Sequence, residues 1–182
     1  MFCRAPRQIC RQNASFLVVN MYLFLDFDGV LHADFAGNPY FSKLPKLVEA
    51  LNGFSDVNIV VSSAWRLKRS IAELRLLLGP VIGPLVVDKT PHLSEYEHGP
   101  LIRQNEIESW LATNAKPWDA WVALDDMSFE FTPFCPHLIV CDGDTGMDDD
   151  VVTRLRAYLT GLQSQRGGRG EGSSRLPADG GA

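Results

Sequence analysis

Two aspartates follow a hydrophobic run near the start of the chain, in the stretch LFLDFDGVLH. Asp26 and Asp28 are one residue apart, at the point where a buried strand is expected to end. Crowding two carboxylates costs free energy unless a cation or hydrogen bonds compensate for their charge. The pair therefore indicates a site that binds a cation or a ligand.

Polar side chains also follow two later hydrophobic runs. Ser62 and Ser63 end the run IVVSS, and Asp125 and Asp126 end the run VALDD. In a parallel α/β sheet, ligands bind outside the carboxyl ends of the strands. We therefore expect these residues to converge with the first aspartate pair at one edge of the sheet.

Four carboxylates in one place would repel each other unless a cation were bound. Mg²⁺ suits such ligands, since it takes one or two carboxylates together with waters and a substrate phosphate. A structural Ca²⁺ site is the alternative, but it accounts neither for the order of residues in DFDG nor for the strand that ends in serines. We predict a Mg²⁺ site whose ligands come from the four aspartates Asp26, Asp28, Asp125 and Asp126.

The spacing also assigns catalytic roles. Asp26 is the candidate nucleophile, because a carboxylate attacks phosphorus to form an aspartyl-phosphate. Asp28 would face the opposite way in an extended strand, so a turn helped by Gly29 is needed to return it to the site as acid and base. Ser62 is a candidate donor to a phosphoryl oxygen, with Ser63 as the alternative.

A positive side chain must balance the charge of the transferred phosphoryl group. Arg103, in the stretch LIRQNEI, is the best placed by its position at the start of a predicted helix. Lys89 and Arg66 are the alternatives.

Strands alternate with helices along the chain, which predicts an α/β sandwich around a parallel sheet. Continuous apolar runs are typical of strands that are buried on both faces. Helices are indicated by apolar residues at a spacing near 3.6. The predicted strands are 16–25, 57–63, 120–126 and 137–142, with a short extended element at 81–88, and the predicted helices are 43–54, 64–79, 101–114 and 148–162.

Four stretches together resemble the motifs of the haloacid dehalogenase-like (HAD) superfamily: LFLDFDGVLH, IVVSSAWR, the Arg103 of RQNEI, and VALDD. The resemblance covers roughly residues 20–160. With SSAWR, WVALDD and CDGDTGM, the chain is similar to the small HAD domain of Swiss Army Knife RNA-repair proteins.

This resemblance implies a Rossmann-like three-layer sandwich and Mg²⁺-dependent phosphoryl transfer. It implies that Asp26 is the nucleophile and Asp28 the acid and base, with the main-chain carbonyl of Asp28 also on the metal. Ser62 becomes the phosphate-binding residue, and Arg103 stands where lysine is commoner in the superfamily. Which of Asp125 and Asp126 touches the metal directly stays open.

Composition limits the function classes. The 182 residues carry a net charge of −5, but six of the 17 basic and two of the 22 acidic residues lie outside 21–162. The 11 basic and 20 acidic residues that remain make this part strongly acidic, near −9, so a broad attraction for nucleic acid is not expected. A local basic groove is compatible with this charge.

We expect three segments: a disordered or artefactual leader at 1–15, a catalytic domain at 16–162 and a disordered Gly/Ser-rich tail at 163–182. No apolar run reaches the roughly 18 residues of a membrane span. Four cysteines without metal-binding spacing are typical of unpaired thiols in a reducing compartment, so we expect a cytoplasmic protein.

The substrate is less constrained than the chemistry. Neither the segment after the first motif nor the segment between Ser63 and Arg103 is long enough for a cap domain, so we expect an open site. An open site suits phosphates on large molecules, and we predict a phosphatase that acts on the terminal phosphates of RNA or DNA. The alternatives are a small-molecule or nucleotide phosphatase and a non-catalytic binding module with the same fold. The oligomeric state is not predicted.

Overall fold

A five-stranded parallel sheet forms the centre of the molecule in this computed structural model, which describes residues 19–168 except 36 and 38. The strand order is β3-β2-β1-β4-β5. The strands are β1 (Met21–Leu25), β2 (Val57–Val61), β3 (Val86–Lys89), β4 (Ala120–Asp125) and β5 (Leu138–Val140). The predicted leader at 1–15 and most of the predicted tail lie outside the described residues.

Helices connect the strands: α1 (Leu44–Leu51), α2 (Ile71–Leu77), α3 (Gly79–Ile82), α4 (Glu95–His98), α5 (Ile102–Asn114) and α6 (Asp149–Gly168). One face of the sheet packs against a core that includes Leu47 of α1, Leu74 of α2 and Leu155 of α6. The other face packs against Ile107 and Trp110 of α5. The predicted three-layer α/β arrangement is confirmed, and no inserted cap domain occurs within the described residues.

Strand β1 is central, and each of its five residues is buried. It pairs with β2 on one side and with β4 on the other, both in parallel. A strand with neighbours on both edges and helices on both faces has no polar surroundings, which explains its continuous run of apolar residues. Its carboxyl end therefore lies in the middle of the sheet edge.

The region predicted as one helix at 64–79 is divided in two. A 3₁₀ helix covers Ala64–Leu67, and α2 begins after Ser70. Ser70 accepts a hydrogen bond from the Glu73 amide, and the Glu73 carboxylate accepts one from the Ser70 amide, so the two residues form a capping box. This box fixes a helix start where apolar spacing alone predicted continuous helix.

The stretch predicted as extended at 81–88 is helical in its first half. Helix α3 and a 3₁₀ helix at Gly83–Leu85 precede β3, which begins only at Val86. Gly83 packs closely against the backbone of α2, where a Cβ atom added to it would lie 2.3 Å from the carbonyl oxygen of Arg75. The last helix also differs from expectation, since it continues to Gly168 rather than ending at 162.

Two further findings concern features named from the sequence. Cys135 and Cys141 are both free thiols, and burial raises the pKa of Cys141 to about 12. Across the described part of the chain, no helix has the combination of length and apolar character that crossing a membrane requires.

Candidate active site at the carboxyl edge of the sheet

Three strand ends meet at the middle of the sheet edge. The Asp26 amide donates to the carbonyl oxygen of Leu124 at 3.1 Å, and the Ser62 amide donates to that of Leu25 at 3.0 Å. These bonds continue the strand pairing one residue beyond β1 and β2. They place Asp26, Ser62 and Asp125 side by side, as the sequence predicted.

Carboxylates from β1 and β4 form a cluster at this edge. One oxygen each from Asp26, Asp125 and Asp126 lies within 4.8 Å of the others. Asp26 and Asp125 are buried, and Asp126 is partly exposed. The Asp125 Oδ1 atom accepts a hydrogen bond from the Met127 amide at 2.9 Å. Its Oδ2 atom is buried and has no hydrogen-bond partner among the described residues.

The pKa values of Asp125 and Asp126 are both raised, because burial and neighbouring carboxylates disfavour the charged form. Burial and the nearby Asp26 carboxylate raise the pKa of Asp125 to about 7, although Arg103 opposes the shift. Burial and Asp26 also raise the pKa of Asp126. The Asp125 Oδ2 atom accepts no hydrogen bond, and the single nearby Arg103 cannot balance three carboxylates, so this set of hard oxygen ligands fits a divalent cation such as Mg²⁺. Asp26, Asp125 and Asp126 are the side chains that would hold it.

Two glycines, Gly29 and Gly143, leave the space that the Asp126 side chain occupies. A Cβ on Gly29 would lie 2.4 Å from the Asp126 Cγ atom, and a Cβ on Gly143 would lie 2.8 Å from its Oδ2 atom. Gly29 also has a φ of +66°, a conformation that residues with a side chain rarely adopt. The turn at Gly29 that the sequence required is therefore present, and it additionally makes room for a carboxylate.

Arg103 provides the positive charge of the site. Its guanidinium lies 3.2 Å from Asp26 Oδ2, 3.3 Å from Asp125 Oδ2 and 3.7 Å from Glu130 Oε2. It also donates to the carbonyl oxygen of Ser62. Burial opposes the charged form, but the Asp26 and Asp125 carboxylates outweigh it and raise the pKa of Arg103.

The two alternative cations have other contacts. Lys89 donates to the carbonyl oxygens of Arg66 and Arg69. Arg66 is buried and pairs with Glu106, and its guanidinium donates to four main-chain carbonyls. Of the three cations considered from the sequence, Arg103 is the one that pairs with Asp26.

The two serines after β2 have different surroundings. The Ser63 Oγ atom accepts a hydrogen bond from the Trp65 amide and caps the following 3₁₀ helix. The Ser62 Oγ atom is buried and has no hydrogen-bond partner within the described part of the chain. Ser62 is therefore the serine that keeps a hydroxyl available for a ligand.

Asp28 does not join the carboxylate cluster. Its oxygens accept from the Trp65 indole at 3.1 and 2.9 Å, and one of them lies 3.0 Å from His32 Nε2. The side chain is 39% exposed, so it is accessible from solvent. Its assignment as a metal ligand rests on its main-chain carbonyl, and it stays a prediction.

His32 and Trp65 are the neighbours of the site that sequence reasoning did not assign. His32 follows the first motif by a few residues and is buried, and Trp65 follows the second. From the sequence alone, His32 is either a pocket residue or an ordinary loop residue, and Trp65 is expected to pack in the core or at its rim. Their proximity to the two motifs was the available signal, but their contact with Asp28 depends on how the loops after β1 and β2 meet.

A parallel α/β fold with an aspartate cluster at the end of its central strand is the arrangement expected of HAD-like domains. The chain belongs to the family described as the HAD domain in Swiss Army Knife RNA repair proteins, whose match covers residues 22–152. The predicted resemblance is thereby confirmed, and it suggests a phosphatase-type hydrolase. No curated protein matches the chain.

Proposed function

We propose that this protein is a Mg²⁺-dependent phosphomonoester hydrolase that acts through an aspartyl-phosphate on the terminal phosphates of nucleic acids. The observation that carries the proposal is the position of Asp26. Its carboxylate forms an ion pair with Arg103 and clusters with the carboxylates of Asp125 and Asp126. A cytoplasmic location belongs to the same proposal.

In the first step, a carboxylate oxygen of Asp26 attacks phosphorus, and the bond from phosphorus to the leaving oxygen breaks. Asp28, which is accessible from solvent, donates its proton to that leaving oxygen. Arg103 and the free hydroxyl of Ser62 stabilise the phosphoryl oxygens. When bound, Mg²⁺ would supply positive charge that offsets the carboxylates and the phosphoryl group.

In the second step, a water attacks phosphorus and gives its proton to Asp28. Inorganic phosphate leaves and the Asp26 carboxylate is regenerated, so each of the two groups returns to its starting state. Trp65 and His32 hold the Asp28 carboxylate outside the cluster of Asp26, Asp125 and Asp126. This separation lets one aspartate act on phosphorus while the other acts on the oxygen that enters or leaves.

Phosphate release from p-nitrophenyl phosphate, measured with Mg²⁺ and with EDTA, tests the chemistry. We expect activity that is lost on chelation, and at least about a 10³-fold lower kcat for Asp26→Asn, because the nucleophile is removed. Asp150→Asn is the matched control, since it makes the same change on an exposed aspartate of α6. Full activity of Asp26→Asn would exclude the aspartyl-phosphate.

Nucleic-acid ends are proposed as substrates for two reasons. The family description concerns RNA repair, and the described residues contain no cap that would close the site over a small molecule. The acidic charge of the catalytic region favours the alternative, a small-molecule or nucleotide phosphatase. Comparing end-phosphorylated oligonucleotides with free nucleotides and sugar phosphates separates the two, and a clear preference for free nucleotides would favour the alternative.

A further inference from the structure

Trp65 connects Asp28 to a group of aromatic and basic side chains outside the catalytic cluster. Its indole donates to both oxygens of Asp28. The Arg69 guanidinium carbon lies 5.0 Å from the centroid of the Trp65 ring, and the Tyr40 ring is 5.3 Å away in an edge-on arrangement. We call Tyr40, Trp65 and Arg69 the leaving-group strip, because Trp65 contacts Asp28, the residue proposed to protonate the leaving oxygen.

The strip presents aromatic surface to solvent. Tyr40 is 70% exposed, and Phe35, in the same loop, is 59% exposed. Tyr96, Phe129 and Phe134 are also exposed, so exposure alone does not mark this strip. Its distinguishing feature is that Tyr40 adjoins Trp65 and Arg69 next to Asp28, because rings beside a cation on which nucleobases stack are typical of single-strand binding sites. The neighbouring Phe41 ring packs edge-on against Trp65, with 5.3 Å between the ring centroids. The backbone of Phe41 has a left-handed conformation with a φ of 60°. Such a conformation is unfavourable for a bulky residue and indicates that the position of this loop is maintained by its packing.

A cleft of about 290 Å³ opens between Asp28 and these rings. Its lining includes two carboxylates and no lysine or arginine: Asp28, His32, Ala33, Asp34, Phe35, Gly37 and Tyr40. A second phosphate would be repelled there, whereas a sugar with hydroxyl groups and a flat base would find acceptors and rings. The part of the substrate next to the scissile phosphate is therefore expected to be uncharged.

Positive charge appears again at the far side of Trp65. Arg69 forms no ion pair with the residues that the structure describes, and Lys68 beside it is exposed. Hydrogen bonds from the amide and hydroxyl of Ser70 to the Glu73 Oε2 atom lower the pKa of Glu73, and Arg69 contributes to this shift, but Glu73 is not within ion-pair distance of Arg69. The charges therefore suit an anion at Arg103, an uncharged ring system in the cleft beside Asp28 and a second anion at Arg69.

That order is the order of groups at the end of a nucleic-acid strand: terminal phosphate, nucleoside, phosphodiester. We propose that the leaving-group strip binds the two terminal nucleotides of a single strand, with the nucleoside on Tyr40 and the next phosphodiester at Arg69. This inference rests on the proposed phosphatase function and narrows its substrate to end-phosphorylated strands of at least two nucleotides.

The test compares kcat/KM for three probes: p-nitrophenyl phosphate, a nucleoside monophosphate and a dinucleotide with a terminal phosphate, the last two each in 5′ and 3′ forms. We expect the dinucleotide of the accepted polarity to exceed the mononucleotide about tenfold, because one charge-assisted contact is added. Arg69→Gln should remove most of that preference. Lys116→Gln is the matched control, since Lys116 lies over the exposed Trp118 ring in a similar pair that does not adjoin the site.

Salt dependence and binding give readouts that a purely structural role would not change. In Asp26→Asn protein, the affinity for a labelled, end-phosphorylated trinucleotide is measured by fluorescence anisotropy at several salt concentrations. Adding Arg69→Gln should reduce the slope of log affinity against log salt by about 0.7, the value for one phosphate contact on a single strand. Tyr40→Ala should weaken binding, while Tyr40→Phe should retain it, because stacking needs the ring and not the hydroxyl.

Two results would overturn the inference without affecting the phosphatase proposal: equal kcat/KM for dinucleotide and mononucleotide, and equal losses with all three probes in Arg69→Gln. Faster hydrolysis of a phosphopeptide than of the dinucleotide would overturn the inference together with the nucleic-acid substrate, but not the phosphatase chemistry. An unchanged salt slope in Arg69→Gln would also contradict the role of Arg69. Absence of hydrolysis of every probe by the wild-type protein would overturn both proposals.

Discussion

Asp125 is the aspartate whose surroundings most oppose its charge. Its ordinary pKa is 3.8, and burial together with Asp26 raises the pKa to about 7 in the fold. Between about pH 4 and pH 7, Asp125 therefore stays protonated in the folded, metal-free protein, whereas the same residue is ionised in the unfolded chain. Since the folded state binds more protons in this window, its stability falls as the pH rises.

We expect the thermal midpoint of the metal-free protein to decrease from pH 5 to pH 8, and Mg²⁺ to raise it more at pH 8 than at pH 5. Asp125→Asn should reduce both effects, because a neutral amide neither titrates nor attracts the cation. Differential scanning calorimetry with EDTA or Mg²⁺ measures this. A pH slope in Asp125→Asn equal to that of the wild type would show that another group is responsible.

Gly29 supports the site through the space that it leaves. In Gly29→Ala, the new methyl group would overlap the Asp126 carboxylate, and the backbone would be strained at a φ of +66°. We expect kcat with p-nitrophenyl phosphate to fall at least about 10²-fold, because small misplacements of catalytic groups have effects of this size. Gly53→Ala, at a φ of +91° with open space around it, controls for backbone strain alone. Equal losses in both variants would contradict the role of Asp126.

At the scale of elements, Arg66 joins the loop after β2 to the loop after β3 and to α5. It donates to the carbonyls of Ser62 and Thr90 at 2.7 and 3.2 Å, and it pairs with Glu106 in the interior. Removing one partner of a buried pair leaves the other charge uncompensated. The orientation of the Ser62 loop therefore depends on a pair that is separate from the cluster of Asp26, Asp125 and Asp126.

We expect Glu106→Gln to lower the free energy of unfolding by about 3 kcal/mol, measured in urea. Glu108→Gln, on the exposed face of the same helix, should change it by less than about 0.5 kcal/mol. Arg66→Lys should be almost as destabilising as Glu106→Gln, since a lysine cannot reach five acceptors in a planar arrangement. A Glu106→Gln variant as stable as Glu108→Gln would show that the pair does not stabilise the fold.

Helix α5 buries charged residues that its apolar pattern does not predict. Apolar spacing predicts that Leu101, Ile102, Ile107, Trp110 and Leu111 face the core, but Leu101, Ile102 and Leu111 are only partly buried. Ile107 and Trp110 are buried, but Arg103 and Glu106 of the same helix are buried as well. Arg103 is compensated by Asp26 after β1, and Glu106 is compensated by Arg66 in the 3₁₀ helix after β2. The parallel sheet and the convergence of Asp26, Ser62 and Asp125 could be predicted, because they follow from alternating strands and helices and from the polar residues at the strand ends. The order of the strands was not predicted, because local patterns do not determine it.

The contacts of Asp28 could not be predicted in the same way. They depend on the relative positions of two loops, one carrying His32 and the other Trp65, and neither loop has a repeating pattern. The start of α2 was predictable in principle, since Ser70 and Glu73 have the spacing of a capping box. Helix periodicity alone, in contrast, predicts a continuous helix through Ser70.

At the scale of the whole molecule, every proposed catalytic residue lies between β1 and the loop after β4. We therefore expect a chain limited to residues 19–168 to retain kcat with p-nitrophenyl phosphate within about twofold of the full chain, because no proposed contact involves the remaining residues. The measurement is steady-state kinetics with Mg²⁺, with circular dichroism as the control for folding. A well-folded but inactive chain of this length would show that catalysis needs a residue outside 19–168.

The central place of β1 also has a consequence for how the protein forms. The earliest strand of the sheet pairs with β4, about a hundred positions later in the chain. Contacts of such long sequence separation form late and slow the rate at which a domain folds. During synthesis, Asp26 therefore leaves the ribosome long before Asp125 and Asp126, and the nascent chain has no assembled carboxylate cluster until β4 has been made.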